Sequence, residues 1–169
     1  MFSSMASSKY QNRDSRLETS GKIVGFYERE FYCFSNFSSF AVKWKGKLWP
    51  TSEHAYQASR FMGKNSKAVK EILKAMSADD AYRIARKYIA GDFDRYDIHD
   101  LKNMEDICRH KLNQNPYVMH KLLQTGKRKI VEDSPKDSFW GWGKDRKGRN
   151  ELGKIWMKLR EEMVAKASK

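Results

Sequence analysis

Cysteine is scarce in this chain, with two in 169 residues. Cys33 and Cys108 make no disulfide framework, and the pair fits a reducing, cytoplasmic setting. Long apolar runs are missing too. None approaches the roughly 18 residues needed to cross a bilayer, so no membrane association is expected. Metal-ligand spacing is lacking: His54, His99, His110 and His120 fall into no pattern with one another or with the cysteines, and no metal site is expected. Residues 1–20 are Ser-rich and polar, without the apolar block of a secretory signal, and are expected to form a disordered tail. No repeat or interdomain linker interrupts the rest, so one domain is expected over 21–165. Acid is in short supply. Asp and Glu number 21 against 34 Lys and Arg, a net charge of +13. That excess implies an anionic partner such as a nucleotide, a phosphorylated metabolite or a nucleic acid, although lysines spread over a surface also serve solubility.

What remains is a globular pattern, 40% hydrophobic and 13% aromatic. Lys22–Tyr27 reads as a strand. Phe40–Trp49 reads as a hairpin that turns at Lys45-Gly46. Pro50 and Thr51 then open a helix, with Thr51 or Ser52 as its cap. Ser66 is placed to cap a second helix with Val69, Ile72, Leu73 and Met76 on its apolar face. Ser77 and Asp80 resemble a capping box for a third, with Ala81, Ile84, Ala85 and Tyr88 inward and Gly91 at its end. A fourth is expected over about 98–113, with Leu101, Met104, Cys108 and Leu112 inward. Asn115-Pro116 starts a fifth, which Gly126 stops. Lys129–Val131 suits a short strand, and Asn150 suits the cap of a last helix bearing Leu152, Ile155, Trp156, Leu159 and Met163. The fold class predicted is α+β, predominantly helical. A small, mostly N-terminal hairpin or sheet packs on about six helices.

Three stretches carry candidate chemistry. In the helix after Pro50, Glu53, Gln57 and Arg60 stand at i, i+4 and i+7, which lines up a carboxylate, an amide and a guanidinium on one face. Glu53 alone could equally be a charge at the positive end of the helix dipole. Residues 134–150 form a loop with more aromatic surface than a connection needs. Gly141 and Gly143 flank Trp142 and suit close backbone approach to a ligand. Trp140 and Trp142 offer flat faces to a base, or else plug the core beneath the loop. Asp137 lies just upstream, and Lys144, Arg146, Lys147 and Arg149 suit phosphate. Ser35-Asn36, between Phe34 and Phe37, presents an amide to a ligand or merely turns the chain. Tyr96 and Lys102 add a further aromatic face and a cation.

Taken in order, these segments resemble the YbiA-like or NADAR family. The resemblance runs through Phe26-Tyr27, Phe34-Ser35-Asn36-Phe37, Trp49-Pro50-Thr51-Ser52-Glu53-His54 with Gln57 and Phe61, and Asn115-Pro116. It continues through Thr125-Gly126, Phe139-Trp140-Gly141-x-Gly143 and Gly148-x-Asn150-x-Leu152-Gly153, and ends at Leu159-Arg160. It implies an N-glycosidase, a hydrolase of N-glycosyl bonds that needs no cofactor. Some members cleave phosphoribosylated riboflavin intermediates and others remove ADP-ribose from guanine. Glu53 would be the principal acidic residue and Asp137 its partner. Ser35, Asn36, Gln57, Arg60, Tyr96, Lys102, Trp140, Gly141, Gly143 and Asn150 would surround the substrate. Members of the riboflavin branch often carry a tryptophan where Tyr96 aligns. The charge favours an ADP-ribosylated guanine, in nucleic acid or as a nucleotide, over a phosphoribosylated small molecule. A non-catalytic module that binds ADP-ribose or nucleic acid is the alternative from another class. Tight binding without turnover would distinguish it.

Overall fold

The structure is a computed structural model that describes residues 21–168; the tail expected over 1–20 lies outside the described residues. The elements run β1 (Ile23–Phe26), a 3-10 turn (Arg29–Phe34), β2 (Val42–Trp44), β3 (Lys47–Trp49), α1 (Ser52–Ser59), α2 (Ser66–Leu73) and α3 (Ala78–Tyr88). They continue with α4 (Ile98–Gln114), α5 (Pro116–Gln124), β4 (Lys129–Glu132) and α6 (Glu151–Ala167). The predicted class is therefore found: six α-helices and four short strands among the described residues. Three of the four strands lie within residues 23–49, mostly N-terminal as expected. The four form two separate two-stranded sheets, β1 with β4 and β2 with β3.

The chain divides into two compact units, one holding the residues up to Phe31 and from Leu122 onward, the other Tyr32–Lys121. In the first, β1 pairs in parallel with β4, Val24 opposite Ile130 and Gly25 opposite Val131. Val24, Phe26, Ile130 and Val131 are buried. Parallel partners need a long crossover, so nothing local in the sequence announces this pairing. Helix α6 buries Leu152, Ile155, Trp156 and Leu159, the face its spacing predicts. Gly153 explains how closely α6 lies on β4, because a Cβ there would collide with the carbonyl oxygen of Ile130.

In the second unit, α1 touches α2, α3, α4 and the hairpin. That central position accounts for the burial of every residue from Ser52 to Ala58. Thr51 is its cap, accepting from the His54 amide, as one of the two predicted alternatives has it. The hairpin turns at Lys45 and Gly46, both with positive φ. Trp44 Nε1 donates to Asp106 at 2.7 Å, and Gln114 bonds both backbone groups of Lys43. Two local expectations are corrected. Asn65, not Ser66, caps α2, its side chain accepting from Ala68. Met76 is exposed because α2 ends at Leu73, which leaves Met76 in the following turn. Ser77 caps α3 as expected, and its hydroxyl also donates to Asp80.

Candidate active site

The buried middle of the second unit holds Glu53, in the first turn of α1. Gln57 lies four residues on, and its Nε2 donates to Glu53 Oε1 at 2.8 Å, so the predicted i, i+4 pair is real. The Glu53 amide donates to the backbone oxygen of Asn36 at 3.0 Å. A turn about seventeen residues upstream thus satisfies one of the free amides of the helix start. Asn36 is buried, and its Nδ2 donates to Met104 Sδ at 3.2 Å, a weak acceptor. Ser35 and Asn36 are therefore brought to Glu53, although the Ser35 hydroxyl serves the turn itself by accepting from Phe37 N–H.

Arg60 ends the helix. Its Nη2 donates to the Phe93 carbonyl at 2.8 Å, its Nε lies 3.8 Å from Asp100, and its guanidinium stacks 4.6 Å from the Phe93 ring. Tyr96 joins this group with its ring centroid 5.9 Å from the Arg60 guanidinium. Tyr56 donates to Asp100 at 3.2 Å; burial, then Asp100, pushes its phenol pKa up, so it remains a neutral donor. Lys102 is exposed on α4.

Around Glu53, four buried side-chain atoms lack a hydrogen-bond partner among the described residues: Asn36 Oδ1, Ser52 Oγ, Gln57 Oε1 and Arg60 Nη1. Buried polar atoms are normally paired, and each unpaired one costs about 1–3 kcal/mol. Here Ser52 and Gln57 belong to α1, Arg60 directly follows it, and Asn36 is the residue whose carbonyl bonds the Glu53 amide. Such a concentration suits the recognition of a polar ligand.

The remaining candidates lie in the first unit, on the loop from Ser134 to Asn150. Asp137 Oδ1 accepts from the amides of Phe139 and Trp140 at 2.8 and 2.7 Å, so that oxygen shapes the loop. Trp140 is buried and meets Phe139 edge to face. Trp142 is a core residue, packed on Val131, its Nε1 held by Asp133 at 2.7 Å. Gly141 has an internal reason to be glycine, since a Cβ would come within 2.8 Å of the Glu132 carbonyl oxygen. Gly143 stands at φ +68. The expectation that Asn150 caps α6 with its side chain is corrected: Asn150 is at the cap position but in the left-handed region, with no side-chain cap bond. Its Oδ1 accepts from Glu132 N–H and its Nδ2 donates to the Ile130 carbonyl, both at 2.9 Å. The side chain is spent on β4. Of the basic residues here, Arg149 bonds Glu151 at 3.0 Å, while Lys144 and Lys147 are exposed.

Sequence reasoning missed Lys111, Tyr56, Asp100 and Phe93. A signal for Lys111 existed: it lies three residues after Cys108 and seven after Met104, on the apolar stripe of α4, where a charge is out of pattern. No group of three or more His, Cys, Asp or Glu side chains arranged for a metal occurs among the described residues. No helix there is long and apolar enough to cross a membrane.

A NADAR domain model matches residues 25–164. The chain belongs to the NADAR family. The N-glycosidase YbiA of Escherichia coli is 34% identical over 144 residues, covering 84% of this chain and 89% of that protein. A riboflavin biosynthesis protein of Vibrio vulnificus is 40% identical over 154 residues, which is 89% of this NADAR chain. This chain spans 41% of the length of that Vibrio protein. The NMR structure of E. coli YbiA superposes with a TM-score of 0.76 at 33% identity, over 88% of both chains. The fold described above is thus that of an experimentally determined NADAR relative.

Proposed function

We propose that this NADAR protein is an N-glycosidase that hydrolyses the C1′–N bond between a ribosyl phosphate moiety and a base, with ADP-ribosylated guanine as its substrate. Hydrolysis of N-glycosyl bonds is the activity named for its relatives over nearly their whole length. The observation that carries the reading is the buried Glu53 carboxylate, held by Gln57, with unpartnered polar atoms on Gln57 itself, on the adjoining Ser52 and on Asn36. Breaking a C1′–N bond develops positive charge on the sugar ring. A carboxylate fixed beside C1′ stabilises that charge and accepts a proton from the attacking water. The water oxygen bonds C1′, the bonding pair leaves with the base, and the base nitrogen gains a proton. Asn36 is suited to hydrogen-bond the sugar or the departing base. Arg60 is suited to a phosphate oxygen, which adds binding energy to orient the sugar. The roles of Asp137 and Trp140 in this reaction rest on the family resemblance.

The choice of guanine is supported by the +13 charge. A second reading, a phosphoribosylated intermediate of riboflavin synthesis, is favoured by the names of the Vibrio protein and of a maize chloroplast protein 34% identical over 157 residues. The test offers purified protein an ADP-ribosyl-guanine oligonucleotide and a phosphoribosylated pyrimidine, following the free base or released sugar phosphate at several salt concentrations. Release of ADP-ribose from the oligonucleotide, with affinity falling steeply as salt rises, supports the first reading. Turnover of the pyrimidine alone moves the assignment to the second. Binding without turnover of either makes the chain a binding module.

A further inference from the structure

Lys111 on α4 is fully buried, which is rare for a lysine. Its Nζ donates to the Ser35 carbonyl at 2.9 Å and to Ser38 Oγ at 2.8 Å. These two acceptors bracket Asn36. The Ser38 hydroxyl in turn donates to the Ser35 carbonyl at 2.7 Å, which closes the turn on itself. The backbone oxygen of Asn36 takes the Glu53 amide. A continuous run of hydrogen bonds therefore joins α4 to the start of α1 through the turn that carries Asn36, all within one unit.

A buried cation is a costly way to hold a turn that already has its own bonds. Burial lowers the Lys111 pKa to about 8. An apolar side chain of similar length would fill the same space without that cost. What it would not supply is a directional anchor on both sides of Asn36. We propose that Lys111 is a positioning residue: its ammonium fixes the Ser35–Ser38 turn on α4, so that the Asn36 amide and the Glu53 carboxylate keep one working geometry during hydrolysis. This rests on the N-glycosidase reading above. Lys111 need not touch substrate; it acts through Asn36.

The experiment uses whichever of the two substrates the wild-type protein hydrolyses. Lys111→Met, Asn36→Ala and the double variant are compared by thermal melting and by kcat and KM. Lys111→Met should melt no lower than wild type, since a desolvated charge has gone. Its kcat should fall about 10–100-fold, the effect of an ångström-scale misplacement, with KM little changed. The double variant should be no slower than Asn36→Ala alone, because the two residues act as one unit. A purely structural lysine would instead lower the melting temperature and multiply with Asn36→Ala. Ser38→Ala removes one Lys111 acceptor and is read in the same way should Lys111→Met not fold. A folded Lys111→Met, or a Ser38→Ala, with wild-type kcat overturns the proposal alone. Wild-type protein that hydrolyses neither substrate overturns the N-glycosidase reading, and the proposal with it.

Discussion

Replacing Glu53 by glutamine separates chemistry from architecture, because the structure provides for both. The Glu53 backbone amide bonds Asn36 and is unaffected by the change. The side-chain oxygen that accepts from Gln57 at 2.8 Å has a counterpart in the glutamine carbonyl, so that bond survives in neutral form. The stability lost is the first-turn charge, about 0.3–1 kcal/mol, and the difference between a charge-assisted and a neutral hydrogen bond, about 1 kcal/mol. A loss of about 1–2 kcal/mol lowers the melting temperature of a domain this size by about 2–8 °C. A glutamine cannot accept the proton of the attacking water, nor oppose the cationic sugar with a full charge. Loss of a positioned acid–base group slows turnover by at least about 100-fold, a barrier increase of about 2.7 kcal/mol. The assay combines a thermal melt, calorimetric titration with substrate and initial rates on the same preparation. The expected result is a folded protein that binds substrate and scarcely turns it over. A folded Glu53→Gln protein with near wild-type rate would refute the role given to Glu53.

Two further outcomes concern stability. Asn150→Ala removes both bonds to β4 and should cost about 1–3 kcal/mol, read as a lower urea midpoint; a wild-type midpoint would count against its bracing of β4. Burial lowers the His54 pKa below its ordinary 6.5, against the opposing pull of the Ala75 carbonyl and Asp80. The neutral ring fits its site, since the Ala75 carbonyl can only accept and takes Nε2–H, leaving Nδ1 to accept from the Thr51 hydroxyl at 2.8 Å. A depressed folded pKa contributes stability above the unfolded value that is lost as pH falls through the folded one. Urea midpoints should therefore drop between about pH 7 and 5 more for wild type than for His54→Gln, and parallel curves would refute the assignment.

How much of this was legible in the sequence depended on the range of the interaction. The Ser77 cap, the Lys45-Gly46 turn, the inward face of α6 and a cap at Thr51 or Ser52 follow from neighbours within a few residues, and the structure has each of them, with Thr51 as the cap. The i, i+4 geometry that joins Gln57 to Glu53 belongs to the same class. The parallel β1–β4 pair joins Val24 to Ile130. No local pattern encodes a partner that far along the chain. Asn150 shows the opposite failure. Its position before α6 is a good local reason to call it a cap, yet its side chain turns to β4, and the left-handed backbone that permits this cannot be seen in the residue type alone. Trp142 stays open between a ligand face and a core plug for a similar reason: an aromatic between two glycines reads the same whether it meets a base or, as the structure has it, Val131.

The polar residues of α1 make the strongest case for function because they contradict what a helix in that position should be. A segment buried from Ser52 to Ala58, between three helices and a hairpin, would be most stable as an apolar run. Instead it carries Ser52, Glu53, His54 and Gln57, all buried. His54 is accounted for by Thr51 and Ala75, and that pairing is structural. Ser52, Gln57 and the Asn36 that bonds Glu53 each keep a buried polar atom without a partner. Stability cannot account for those three, because an apolar side chain at each position would remove the penalty. Recognition can, because a polar substrate would supply the missing partners and so bind in the orientation that brings its reacting carbon to Glu53.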